Sequence, residues 1–165
     1  PGVDLLPRLE YPLDAAPRVA VLGHAMRSEP NVRSFPHWTV RQLEFARPQA
    51  LAGSLLQLEE VASLRSLDIL KLRSLSYPLV VITRDGEPRL SEADHERLWR
   101  LFRLPVFEQV RGLDGQLLAW ECEARAGFHL AADAPSHLFS LAPSCTICAC
   151  GQAVASPLMS KAAAS

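Results

Sequence analysis

The chain has 165 residues, of which 48% are apolar and 21% charged, the balance of an ordinary soluble globular domain long enough to bury its own core. Seventeen basic against eighteen acidic residues leave a formal charge of −1, so no electrostatic footprint points to nucleic acid or an anionic membrane surface. No apolar run reaches the roughly 18 residues that span a bilayer, and the first residues lack the basic start and apolar run of a signal peptide. A reducing, cytoplasmic location is therefore the expectation. Clustered cysteines there serve more often as metal ligands than as disulfides.

Prolines at 1, 7, 12 and 17 mark residues 1–17 as an extended arm. Its Leu5, Leu6, Leu9, Tyr11 and Leu13 are apolar enough to lie against this domain or a partner. Residues 18–151 read as one α/β domain. Arg18–Leu22 is a short buried strand ending at Gly23, and the Gly, Pro and Asn content of 23–31 marks a loop. A strand followed by a glycine and a polar loop invites a phosphate-binding reading. The second glycine and the Gly-Lys-Ser/Thr that would carry it are missing. Phe35, His37 and Trp38 form an aromatic cluster, whose amphipathic rings read as packing.

Pro48 reads as the opening of a helix over Ala50–Leu64, with Leu51, Leu55, Leu58, Val61 and Leu64 on one face and Glu59 and Glu60 on the other. A polar-apolar link over 66–75 leads to Pro78 and the buried strand Leu79–Thr83, followed by the turn Arg84–Pro88. Ser91 and Asp94 are spaced as an N-cap and its reciprocal partner. The helix they open, Glu92–Arg103, is expected to bury Leu98, Leu101 and Phe102, with His95 on its solvated side. Pro105–Val110 is the next strand and Gly112–Gly115 a turn. Gln116–Glu123 and Phe128–Leu130 pair through Gly127. The sum is a parallel strand–helix–strand unit with an appended antiparallel ribbon over about 116–151, and a loosely held tail at 152–165.

All four cysteines lie in Cys122 and the cluster Cys145, Cys148 and Cys150, with His129 seven positions after the first. Thiolate and imidazole are the ligands zinc prefers, and Cys122 and His129 flank a glycine turn on a ribbon. The favoured structural-zinc set is Cys122, His129, Cys148 and Cys150, with Cys145 as alternate because Cys145-x-x-Cys148 is itself a zinc spacing. The plainer alternative is reduced, partly buried cysteines and a surface histidine. Glu121 and Glu123 flank Cys122 on the opposite strand face, where a solvated role is ordinary.

From Leu79 to Leu130 the order of features resembles the core of adenylate-forming acyl-CoA ligases, above all the phenylacetate–CoA ligase branch. Carrying the resemblance are a buried strand, Gly86-Glu87-Pro88, Leu90-Ser91-Glu92, Pro105-Val-Phe-Glu-Gln109 and Gly112-Leu113. So are Glu121-Cys-Glu-Ala-Arg-Ala-Gly-Phe-His-Leu130, similar to that branch's Glu-Cys-Glu-Ala-x-Asp-Gly-Leu-His-Ile, and Cys148-Ala-Cys150-Gly151, similar to its Cys-x-Cys-Gly. The resemblance implies a partial ligase-like core and a nucleotide or acyl-CoA pocket bordered by Asp85, Gly86, Glu87, Pro88, Gly112 and Asp114. By itself, the Asp85-Gly86 pair is ordinary turn chemistry. The family's Gly-x-Thr-Glu is replaced by Gly112-Leu113-Asp114-Gly115, its phosphate-holding loop has no counterpart, and Lys161 does not substitute for the lid lysine. The expectation is a non-catalytic accessory or interaction subunit of a larger enzyme complex, meeting a protein partner through the arm or an exposed core face. The alternatives are a minimal or split acyl/aryl-CoA ligase, or a small nucleotide/acyl-CoA binding module.

Overall fold

The computed structural model describes residues 6–124, 127–132, 134–135, 139–140, 148–150, 154 and 156–157. Its centre is a seven-stranded sheet in the order β2-β1-β3-β4-β5-β6-β7. Strands β1 (Val19–Leu22), β2 (Val32–Phe35), β3 (Ala50–Gly53), β4 (Leu79–Arg84) and β5 (Val106–Arg111) run parallel. Strands β6 (Leu117–Glu121) and β7 (Phe128–Leu130) continue the sheet as an antiparallel meander from β5. The α/β class and the strand–helix–strand unit with its ribbon are thus those the sequence predicts. A separate two-residue pair, β8 (Phe139–Ser140) with β9 (Ser156–Pro157), draws part of the 152–165 tail into antiparallel pairing.

Parallel strands connected by crossovers need cover on both faces, and here the two covers differ. Alternate side chains Ala20, Leu22, Leu51, Leu79 and Val81 join one core cluster. Into it pack α1 (Val40–Ala46) through Leu43, α2 (Leu55–Ser66) through Leu58 and Val61, and α3 (Glu92–Phe102) through Leu98 and Phe102. Phe35 and Trp38 pack against the same cluster, as aromatic packing predicts. The intervening side chains Val19, Val21, Ala50, Ala52, Val80 and Ile82 form a second cluster that contains no helix residue. It is closed by the arm, through buried Leu9 and partly buried Tyr11. The arm therefore lies against its own domain, one of the two destinations its apolar residues allow.

The arm is fixed by polar anchors. Tyr11 donates its hydroxyl to the Pro78 carbonyl at 2.8 Å. Arg111 donates to the Arg8 carbonyl at 2.8 Å, Gln109 donates to the Glu10 carbonyl, and the Arg27 amide donates to the Pro7 carbonyl at 2.9 Å. At Gly115, φ is +83° and an added Cβ would stand 2.8 Å from the Pro7 ring, so both backbone and space require glycine.

Three local expectations are corrected. The predicted helix over Ala50–Leu64 is in fact strand β3 followed by α2, with Ser54 as N-cap accepting from the Gln57 amide. A central parallel strand is apolar throughout, so its Ala-Leu-Ala run merged with the helical pattern behind it. Strand β2 and helix α1 lie almost wholly in 32–34 and 39–47, to which the sequence reading assigns no element; the signal available there was Thr39 followed by Gln42, a capping pair that is formed. Leu101 is 46% exposed rather than buried, because α3 turns only Leu98 and Phe102 fully inward.

Replacing Leu9 with Ala removes the arm's buried anchor and is expected to cost about 2 to 4 kcal/mol in urea unfolding. Arg8→Ala, which loses only an exposed ion pair with Glu29, should stay within about 1 kcal/mol.

Candidate metal centre

The ribbon builds the site. Across β6 and β7, Trp120 pairs with His129 and Glu121 with Phe128, so the chain leaves β6 at Cys122 and returns to place His129 beside it. Gly127, at φ +141°, makes the return. Cys122 lies two residues beyond Trp120, on the strand face that His129 shares. His129 is buried, with its ring 5.7 Å from that of Trp120.

The turn at 148–150 supplies the other two ligands. Cys122 Sγ lies 3.3 Å from Cys148 Sγ and 3.9 Å from Cys150 Sγ, and Cys150 Sγ lies 3.3 Å from His129 Nε2. All four ligand atoms fall within 4.8 Å of one another, close enough to hold a metal ion. These sulfurs are too far apart for a disulfide, which needs about 2.05 Å, and all three cysteines are free. The cluster is the one favoured from spacing; Cys145 and Gly151 lie outside the described residues. Burial and then the neighbouring Cys148 thiol push the Cys122 thiol up to about 11.

Beside the cluster lies a polar network that sequence reasoning missed. Glu121 does not face solvent alone: its Oε2 accepts from the Glu108 amide at 2.7 Å and meets His95 Nε2 at 3.4 Å. His95, expected on the solvated side of α3, is instead partly buried against it. Glu108 is 1% exposed and accepts from Thr83 Oγ1 at 2.6 Å and from the Leu90 amide at 3.1 Å, with Arg89 at 3.6 Å. Burial pushes its carboxyl above the usual range against those partners. No periodicity marks such a contact, because it joins residues 26 positions apart.

The predicted nucleotide-pocket residues divide. Gly112 and Asp114 line a cleft of about 290 Å³ with Pro7, His24, Arg84 and Arg111, at the carboxyl ends of β1, β4 and β5. The turn Asp85–Pro88 follows β4 but is not among the residues lining that cleft. Within the turns, Glu87 accepts from the Arg84 amide at 2.8 Å and Asp114 from the Gln116 amide at 3.0 Å. The neighbouring cations Arg84 and Arg111 add to burial in lowering the pKa of His24. Among the described residues, no helix is long and apolar enough to cross a membrane.

The site thus defines an α/β domain with a three-cysteine, one-histidine cluster on an antiparallel ribbon. No protein-family model matches the chain, and no curated protein does. Among solved structures it is similar to an open conformation of 2-hydroxyisobutyryl-CoA ligase in complex with 2-HIB-AMP and CoA. The TM-score is 0.49 and the identity 12%, over 67% of this chain and 29% of that one. The match spans less than a third of that enzyme and assigns neither family nor activity.

The Glu121 carboxylate raises the pKa of His95 above its ordinary value despite burial. The stabilisation from this pair is therefore full below the unfolded-state value of about 6.5 and is lost as pH rises through the higher folded value. An NMR titration of the His95 ring should show the upward shift, and Glu121→Gln should abolish it.

Proposed function

We propose that this chain is a zinc-stapled accessory or interaction subunit, built on a partial acyl-CoA-ligase-like core and working within a larger enzyme complex. The observation that carries it is the convergence of Cys122, His129, Cys148 and Cys150 within 4.8 Å. A tetrahedral zinc with sulfur at about 2.3 Å and nitrogen at about 2.0 Å separates its ligands by about 3.5 to 3.8 Å. The sulfur–sulfur distances of 3.3 and 3.9 Å and the sulfur–nitrogen distance of 3.3 Å bracket that range. Three thiolates and an imidazole complete a four-coordinate shell and leave no position for substrate, which favours a structural ion over a catalytic one. When bound, the ion would supply positive charge that keeps the thiols ionised. Cys122 and His129 would fasten the ribbon, and Cys148 and Cys150 would fasten the following segment to it. The ligase ancestry rests on the ordered motifs between Leu79 and Leu130. The non-catalytic role rests on Asp114 and Gly115 standing where the resembling family carries a hydroxyl and a glutamate.

A second reading, a small nucleotide or acyl-CoA binding module, is favoured by the cleft in which Arg84, Arg111 and His24 gather beside Gly112 and Asp114. Arg84, at the carboxyl end of a parallel strand, suits a phosphorylated ligand, while Arg111 is held by the Arg8 and Gly115 carbonyls.

Native mass spectrometry on untagged protein, purified gently from its own host without chelator, separates the readings. The expected result is one zinc per chain together with a partner chain, with the zinc lost in Cys148→Ser. A zinc-free monomer would remove both the staple and the subunit role. Adducts with ATP or CoA on a partner-free chain would favour the binding module.

A further inference from the structure

A further cleft lies away from both sites described above. It occupies about 360 Å³ between the end of α2, the loop after it and the outer face of α3, with Arg65, Asp68, Leu70, Lys71, Arg73 and Leu101 in its wall. Its charge is one-sided. Asp68 is the sole carboxylate of the wall and is already 3.5 Å from Lys71. Arg73 makes no hydrogen bond or ion pair among the described residues. Arg65 stacks over the Phe102 ring at 5.1 Å, and its Nη1 is buried with no hydrogen-bond acceptor.

That orphaned donor is not consumed by the helix end. In the last turn of α2, the Ser63 carbonyl accepts from the Leu67 amide and the Ser66 hydroxyl. The Leu64 carbonyl accepts from the Ile69 and Leu70 amides, and the Arg65 carbonyl from the Asp68 amide. Arg65 Nη1 itself is closed to solvent, so a ligand in the cleft meets Arg65 through the rest of its guanidinium, for which a carboxylate is the best-matched partner.

The surroundings identify what brings that carboxylate. Leu67 and Ile69 on the same loop are 67% and 53% exposed, and Leu101 on the cleft wall is 46% exposed. Exposed leucine and isoleucine beside unpaired arginines fit an acidic segment with apolar side chains better than a small hydrated anion.

We propose that this cleft docks an acidic, apolar-flanked segment of a protein partner, its carboxylate meeting Arg65 and Arg73 and its apolar side chains covering Leu67, Ile69 and Leu101. This gives a partner chemistry to the interaction role proposed above and rests on that role, though not on the zinc.

The test is an NMR titration of the isotope-labelled full chain with three probes. They are a Leu/Glu amphipathic peptide, the same peptide with Lys at every Glu, and inorganic phosphate. The acidic peptide should shift amides at 65–73 and 101 with a Kd of about 1 mM or tighter. Added salt should weaken it. Arg73→Glu, at an exposed and unpaired position that leaves the fold intact, should weaken it by at least about fivefold. Equal binding of both peptides, no shift at these amides, or the same shifts from phosphate alone would overturn the proposal. If it fails, metal and partner content in native mass spectrometry still report separately on the subunit reading.

Discussion

Strand β5 buries Glu108, Gln109 and Arg111 in the middle of the fold, and buried polar groups must find partners there. Apart from Arg111 Nε, which has no acceptor among the described residues, the partners they find are the other parts of the molecule. Glu108 takes the Thr83 hydroxyl and the Leu90 amide, fixing the loop that leads into α3. Gln109 and Arg111 take carbonyls of the arm. The Glu108 amide takes Glu121 of the ribbon. One strand thereby sets the place of helix, arm and ribbon, since moving any of them would leave a buried donor or acceptor unpaired.

This explains how a sheet with helices on one face can stand. Among the described residues its second face is covered by the arm through Leu9 and Tyr11, with Met26 and Tyr77 beside them. Orientation comes from hydrogen bonds to main-chain carbonyls of the arm, which depend on its path rather than its side chains. The ribbon is placed in the same manner, and the cysteine–histidine cluster sits where Glu121 leaves off. The cluster's contacts between ribbon and turn join residues 21 to 28 positions apart, in a part of the chain whose described strands are short. A metal ion there would supply the cohesion that a small ribbon cannot obtain from burial alone.

Much of this was legible in the sequence, for identifiable reasons. Strands β1 and β4 are short apolar runs marked by Gly23 and Pro78, and β5, although it carries Glu108, Gln109 and Arg111, is bounded by Pro105 and Gly112. Ser91 and Asp94 announce α3 and form the capping box they spell. The four ligand residues stood out because thiol and imidazole are scarce and were grouped. What escaped depends on neighbours in space. Ala50–Gly53 could not be told from a helix by periodicity, since a strand buried on both faces has no period of two. His95 and Glu121 each look solvated alone and are partners only because the β5–β6 reversal brings them together. Arg65, with its unpaired donor, carries no sequence mark at all.

X-ray absorption at the zinc edge of the purified protein tests the central claim most directly. A structural zinc on these residues gives a shell of three sulfurs at about 2.3 Å and one nitrogen at about 2.0 Å. A shell of oxygen and nitrogen without sulfur, or protein that takes up no zinc, would contradict it.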